Sequence, residues 1–410
     1  MYISKKVIAA LGVAAIAAMA LTACSGGGGG GAATGTPIKV AAITDTKSFP
    51  EASAAAQGYF NRYNEQGGFN GRPIELTVTD APTGDAAAAV NGATDAINNE
   101  EIVAMVGSST FGECAINHTA YEEAGMVSYT GVGVDLFCFT TPNIAAANNG
   151  PFFDVYATAW NAIQDGSKRP CFLANFATPD AEYADAQVVK NITAATGVEW
   201  AAVEIVPQRA DNDYSTNVLS ALGNDCDSMV FVGVHPVVAA QIGVMNANGA
   251  ADIPVYVQTS CYDAGFPLEP SVQSHEAKVS VPAEFAPADD PSTEDLNMLI
   301  GDGYITPGDT WSYSFMQAGY LAAESFIMAL GSVEGDVTRA SVTKASQSDA
   351  PWPNNNKMWG NPWAFGPGET HQANSSTYLA EIEPGSGVWT SKGPWLQAAD
   401  MQWKDIVLPQ

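Results

Sequence analysis

From Ile38 onward the chain alternates short apolar runs with longer stretches of helical spacing, and it does so in two consecutive series. This rhythm constrains the fold more than any other feature. Parallel strands cannot be joined by a tight turn, so each needs a crossover, and a helix returning over the sheet supplies one with right-handed geometry. Residues 38–43 read as a buried strand, 51–66 as a helix ended by Gly67-Gly68, 73–79 as the second strand and the Ala-rich 85–98 as the next helix. Residues 102–106, a helix through Glu123, and 126–129 continue the alternation. After Asn148-Asn149-Gly150 the grammar restarts, with strands at 171–176, 202–206, 228–232 and 255–258 and helices at 152–164, 181–195, 213–222 and 237–248. Two such series predict two similar α/β lobes, although no residue motif is shared between them. Beyond them, 277–281 reads as a strand, 311–330 as a long helix, and 377–382 with 387–390 as a terminal hairpin. A segment rich in Trp, Pro and Asn lies between, with Trp352, Trp359 and Trp363; it is either an irregular loop packed over one lobe or a wall of a ligand site.

The amino terminus has a different character. Lys5 and Lys6 precede an apolar run from Val7 to Leu21, and Leu21-Thr22-Ala23-Cys24 closes it. The run is shorter than the roughly 20 residues a membrane span needs, and Ser25 followed by six glycines cannot extend it. The layout is that of a secretory leader. It resembles the bacterial lipoprotein signal, which implies removal of residues 1–23 and a diacylglyceryl group on Cys24. Residues 24–37 then form a flexible tether spanning about 20 Å.

Without the leader about 387 residues remain, more than one core usually serves. Loss of Lys5 and Lys6 leaves 14 basic residues against 44 acidic ones, a charge of −30. Such a surface repels nucleic acid and anionic head groups. Five cysteines follow Cys24, an odd number that leaves at least one thiol without an intramolecular partner. The four histidines are widely separated, with no HExxH and no CxxC, so no metal site is expected.

Several short segments, taken in order, carry a family likeness: Lys39-Val40-Ala41-Ala42-Ile43-Thr44, Phe69-Asn70-Gly71-Arg72-Pro73-Ile74 with Asp80, Val106-Gly107, Glu122-Glu123-Ala124-Gly125, Ala181-Glu182-Tyr183-Ala184, and Phe365-Gly366-Pro367-Gly368-Glu369. From Ile38 onward the chain resembles the type I periplasmic binding proteins, such as the leucine/isoleucine/valine receptors of ATP-driven importers. The resemblance implies two Rossmann-like lobes with parallel central sheets and a three-segment hinge near Asn149, Pro282 and Ser376. Residues 38–149 with 283–376 would form the first lobe, and 150–282 with 377–410 the second. It implies a monomer held outside the cytoplasm on the outer face of the membrane by its lipid. That monomer would take a small-molecule ligand in an interlobe cleft, without a cofactor, and pass it to an ABC transporter permease. Disulfides Cys114–Cys138 and Cys171–Cys226 are expected, each pair at one edge of neighbouring strands, with Cys261 free.

Ligands in open α/β sheets sit beyond the carboxyl ends of the strands, so loops there supply the candidate contacts. Phe49 either covers a ligand or caps its own lobe. Ser108, Ser109 and Phe111 precede a helix whose first amides can hold a carboxylate, though Ser and Thr there are also ordinary caps. Relatives that bind amino acids hold the α-carboxylate with a Ser and a Thr and the ammonium with an acid. Those positions fall here on Phe111, near Val134 in the stretch Thr130 to Asp135 that includes Gly133, and near Cys261. Either Ser109, Thr130 and Asp263 take over these roles, or the ligand is not a zwitterionic amino acid. Tyr183 matches a cleft tyrosine of the family and offers a flat wall with a hydroxyl handle. His235, Tyr262 and Trp311 complete the candidates, His235 being either a polar contact or a structural histidine. No GxSxG, Walker loop or GxGxxG follows a strand, so an enzyme is not expected. A sensory receptor of the same fold is the alternative to a transport receptor.

Overall fold

The computed structural model describes residues 32–176, 179–209, 211, 213–308, 311–350, 352–368 and 373–406. The leader and Cys24 lie outside the described residues. The first series runs β1 (Ile38–Thr44), α1 (Glu51–Glu65), β2 (Ile74–Asp80), α2 (Ala86–Asn98), β3 (Ile102–Val106), α3 (Glu113–Glu123), β4 (Ser128–Thr130) and β5 (Ile144–Ala146). Its five strands are all parallel, in the order β2-β1-β3-β4-β5. The central strands are buried except at Lys39 near the start of β1, as a parallel sheet covered by helices on both faces requires. Local signals agree with the tertiary ones: the Asp85 carboxylate caps α2 by accepting from the Ala88 amide at 2.9 Å.

The second series runs α4 (Gly150–Gln164), β6 (Pro170–Phe176), α5 (Pro179–Thr196), β7 (Ala202–Pro207), α6 (Ser215–Leu222), β8 (Ser228–Val232), α7 (His235–Ala247), β9 (Val255–Val257), α8 (Pro270–Gln273) and β10 (Val279–Ala283). The chain then returns to the first lobe as α9 (Glu294–Gly301), α10 (Tyr313–Gly331) and α11 (Arg339–Ser346). Leu321, Phe326 and Leu330 of α10 enter the same core as Val40, Phe60 and Val106. It ends in the second lobe with β11 (Ser376–Ile382) and β12 (Thr390–Gln397). The seven-stranded order is β12-β11-β10-β9-β8-β6-β7.

This second sheet is mixed, not parallel throughout. β11 begins beside the end of β10, with Tyr378 opposite Ala283 and Ile382 opposite Val279, so it must run antiparallel to it. The second arm of the hairpin is Thr390–Gln397 rather than residues 387–390. Gly385 and Gly387 both adopt positive φ and make the turn, so Gly387, expected to open the second arm, belongs to the turn instead.

The three crossings between lobes meet in one buried polar knot. The Asn149 amide donates to Glu284 Oε2 at 3.3 Å, the Asn149 side chain to the Ser376 carbonyl at 3.4 Å, and the Asn374 side chain to the Glu284 carbonyl at 3.0 Å. Cys114 is bonded to Cys138 and Cys171 to Cys226, with Cα separations of 5.2 and 5.6 Å, while Cys261 is free and buried. The tryptophan-rich segment is a packed cover: the Trp359 and Trp363 indoles stack at 5.5 Å and donate to the carbonyls of Ala147 and Ala146, closing the edge of β5.

Candidate ligand cleft between the lobes

A cavity of about 100 Å³ opens where the carboxyl ends of β6, β7, β8 and β9 face the first lobe. On that measure a single water needs roughly 10–15 Å³, so the space suits a small organic molecule. Phe111, Val134 and Asp135 line it from the first lobe. Phe152 and Val155 of α4, Asn175 and Phe176 ending β6, Ala181 and Asp185 of α5, Val234 and Gln258 line it from the second. The walls are mainly apolar, and among the described residues no Lys, Arg or His lines them.

The two carboxyls differ in their surroundings. Asp135 accepts from the Phe137 amide at 3.0 Å and from the Ala115 amide, in the first turn of α3, at 3.3 Å. The amino end of α3, the seat expected for a ligand carboxylate, thus already holds an internal one. Burial pushes the Asp135 pKa up to about 7 against these hydrogen bonds, and the nearby Asp180 adds to the rise. Asp185 is 4% exposed, and among the described residues nothing donates a hydrogen bond to it. Burial alone pushes its pKa up to about 8. Asn175 is half satisfied: its oxygen accepts from Gln241 at 2.9 Å, and its buried Nδ2 has no hydrogen-bond partner.

The structure brings Phe111 and Val134 of the expected residues to the cavity. Phe49 stands behind them, its ring edge-on to Phe111 at 5.1 Å and 5.9 Å from Phe315. The small polar residues are absorbed into the scaffold. Ser108 Oγ accepts from the Ile43 amide at 3.1 Å, Ser109 bridges Thr44 through its backbone, and the Thr130 hydroxyl pairs with Ser128 at 2.9 Å. Gly133 gives and takes a hydrogen bond with the Asn148 side chain, and a Cβ there would meet Ala146 at 2.8 Å.

The remaining candidates do not line the cavity. Tyr183 sits about 200° round α5 from Ala181 and packs against the second lobe's core. His235 begins α7 with both ring nitrogens engaged, Nδ1 with Asp263 at 2.8 Å and Nε2 with Glu269 at 3.0 Å. The Asp263 bond leads the causes that raise its pKa, so it reads as a structural ion pair. Asp263 also caps its own loop by accepting from the Gly265 and Phe266 amides. Cys261 is fully buried, Tyr262 packs on Trp389 at 5.5 Å, and Trp311 packs against the first lobe's core. Cys114, Asp135 and Cys138 cluster as metal ligands might in another fold, but both sulfurs are spent in the disulfide.

Sequence reasoning missed Asp185, Asn175 and Gln208, and it passed over Asp135 within a stretch it had singled out. Position carries the missing signal: Asn175 and Gln208 sit at or just past strand carboxyl ends, and Asp185 shares a helix face with Ala181 at i, i+4.

Two α/β lobes that oppose their ligand-binding edges across one cavity define a solute-binding architecture. The profile described as periplasmic binding protein matches residues 37–388, and the chain belongs to that family, in its type I branch. No curated protein matches the chain in sequence. Among solved structures, a fatty acid ABC transporter substrate-binding protein from Thermomonospora curvata is similar with a TM-score of 0.73 at 18% identity, over 92% of this chain and 97% of that one. A solute-binding protein of an ABC transporter from R. palustris, in complex with 4-hydroxybenzoate, gives 0.71 at 16% identity, over 88% and 97%. A leucine-binding protein from Thermotoga maritima gives 0.66 at 14% identity, over 88% and 99%. Among the described residues no helix is long and apolar enough to cross a membrane.

Proposed function

We propose that this protein is an extracytoplasmic solute-binding lipoprotein. It captures a small organic ligand between its lobes and delivers it to an ABC transporter permease. The observation that carries the reading is the cavity itself, walled by both lobes at the strand ends where α/β sheets take ligands. Three crossing segments knotted at Asn149, Glu284 and Ser376 let the lobes close as bodies, and the closed form is what a permease would recognise. A thermal-shift screen of amino acids, amides, aromatic acids and small peptides tests capture, because a ligand that binds only the folded state raises its stability. A hit is expected to vanish in Val234→Trp, which fills the cavity from a partly exposed position; a hit untouched by that substitution would place binding elsewhere.

Anchoring rests on the Leu-Thr-Ala-Cys closure and the glycine tether. Several acyl chains on one residue hold firmly where one binds only marginally. Cys24→Ser is expected to release the protein from the membrane or block its processing; mass spectrometry finding an unmodified Cys24 in membrane-derived protein would overturn this.

Leucine, isoleucine and valine are expected to bind weakly if at all. The α3 amide that would receive an α-carboxylate already holds Asp135, and a second acid, Asp185, faces the same space. Calorimetric titration of ligand-stripped protein with leucine decides the point, with micromolar or tighter binding as the contrary result.

A further inference from the structure

We propose that the occupant of the interlobe cavity is a small organic cation, a primary or secondary amine on an apolar body, with the Asp185 carboxylate as its charge partner. The assignment rests on the solute-binding reading above and names the ligand class for that cleft. Asp185 is a buried carboxyl that lines the cavity and receives no hydrogen bond among the described residues. A buried carboxyl with no donor beside it is held neutral and takes up its charge only when a cation pairs with it. An ammonium brings both the opposite charge and the N–H donors a carboxylate lacks there.

The surroundings select for a cation and against an anion. Asp135 faces the cavity from the first lobe, and Asp180, in the first turn of α5, is close enough to Asp135 to raise its pKa. Asp154, on the adjoining α4, does not line the cavity; its Oδ2 accepts from the Thr259 amide at 2.8 Å, and its Oδ1 is buried with no hydrogen-bond partner among the described residues. The cations nearest in sequence to lining residues are engaged away from the cavity: Arg209 donates to the Asp213 carbonyl, and His235 is held by Asp263 and Glu269. Phe111, Phe152 and Phe176 supply ring faces that favour an organic cation and an apolar surface that a hydrated metal ion would not satisfy. Binding is coupled to proton loss, because burial keeps Asp185 protonated up to about pH 8 in the empty site. The amine therefore displaces a proton from Asp185 and pairs with the carboxylate that remains.

Calorimetry with 2-phenylethylamine, 2-phenylethanol and phenylacetate, on the full mature chain between pH 6 and pH 9, tests this. The amine is expected to bind at least about tenfold tighter than the alcohol, with phenylacetate weakest, and to tighten from pH 6 to pH 8 with release of a proton to buffer. Asp185→Asn, matched in shape and checked for an unchanged melting profile at low pH, is expected to bring the amine down to the affinity of the alcohol while leaving the alcohol unchanged. An amine no tighter than the alcohol, equal losses for both in Asp185→Asn, binding that strengthens as pH falls, or silence from all three probes overturns the assignment. If the alcohol or the acid binds instead and Val234→Trp abolishes it, the cleft stands as a solute site and only its charge preference is wrong. Silence here together with silence across the broad screen removes the solute-binding reading as well.

Discussion

Gly319→Ala is expected to destabilise the first lobe by about 3 kcal/mol or more, the reverse of what the same change does in most helices. In an exposed helix interior alanine is favoured over glycine by roughly 1 kcal/mol. Gly319 sits instead at the middle of α10 where that helix crosses α1, and a Cβ there would lie 1.9 Å from the Ala52 carbonyl oxygen and 2.5 Å from its Cα. Those are backbone atoms, which cannot rotate aside. Relief requires the two helices to separate, and their contact carries Ala52, Ala55, Ala56 and Phe60 into the core. Gly331, at the end of the same helix, has nothing within 4 Å of its would-be Cβ, so Gly331→Ala is the matched control. Denaturant titration of the two variants separates propensity from packing: a loss confined to position 319 supports the close crossing, and equal behaviour would refute it.

Melting temperature is expected to fall as pH rises from 5 to 9, by about 10 °C or more. Burial pushes Glu113 and Asp135 up to about 7 and Asp185 and Glu284 up to about 8, and it raises Asp154 as well. Unfolded, these carboxyls titrate near 4. Between that value and the folded ones the native state therefore binds more protons than the unfolded chain. The stability they contribute is fully present below about pH 4 and is lost as pH climbs through 7 to 8. Each shift of this size is worth on the order of a few kcal/mol. Asp45 opposes the trend at the acid end. Its burial would raise its pKa, but hydrogen bonds from Thr83 and Ser48 hold it at about 2, so its contribution is lost only as pH falls toward that value. The stability maximum should therefore lie near pH 4 to 5. Calorimetric scans across this range check it, and a melting temperature that is flat or rising between pH 5 and pH 9 would contradict the buried, protonated acids.

The alternation of strands and helices was legible because each long element carries its own apolar period and its own stops. Gly67-Gly68 after α1 and Asp85 before α2 fall where the structure puts the ends of those elements. The three-residue β5 escaped, since Ile144-Ala145-Ala146 is too short to show a period and is fixed by pairing with β4 and by the tryptophans laid over it. α9 and α11 escaped for a similar reason, being eight residues each. At the cleft, position along the chain was a fair guide and residue type a poor one. Phe111 and Val134 reach the cavity, but the serines and threonines beside them are consumed by the turn they stabilise. Tyr183 packs against the second lobe's core outside the cavity lining, while Asp185, two residues later, lines the cavity. Helix phase relative to the opposite lobe is a tertiary quantity, and no local pattern encodes it.

The Trp363 indole reaches the Ala146 carbonyl across 217 residues of chain, and this separation orders events in time. A polypeptide emerging amino end first presents β1 to β5 long before α10 or the tryptophan cover exists, so the edge of β5 and the α10 face of the first sheet wait unprotected. The strands from β6 to β10 arrive as one uninterrupted stretch and can pair among themselves meanwhile, with Cys171 and Cys226 both inside it. The lobe written first thus waits through the whole of β6 to β10 for its cover, and during that interval its open strand edge is the place where the nascent protein most needs a chaperone.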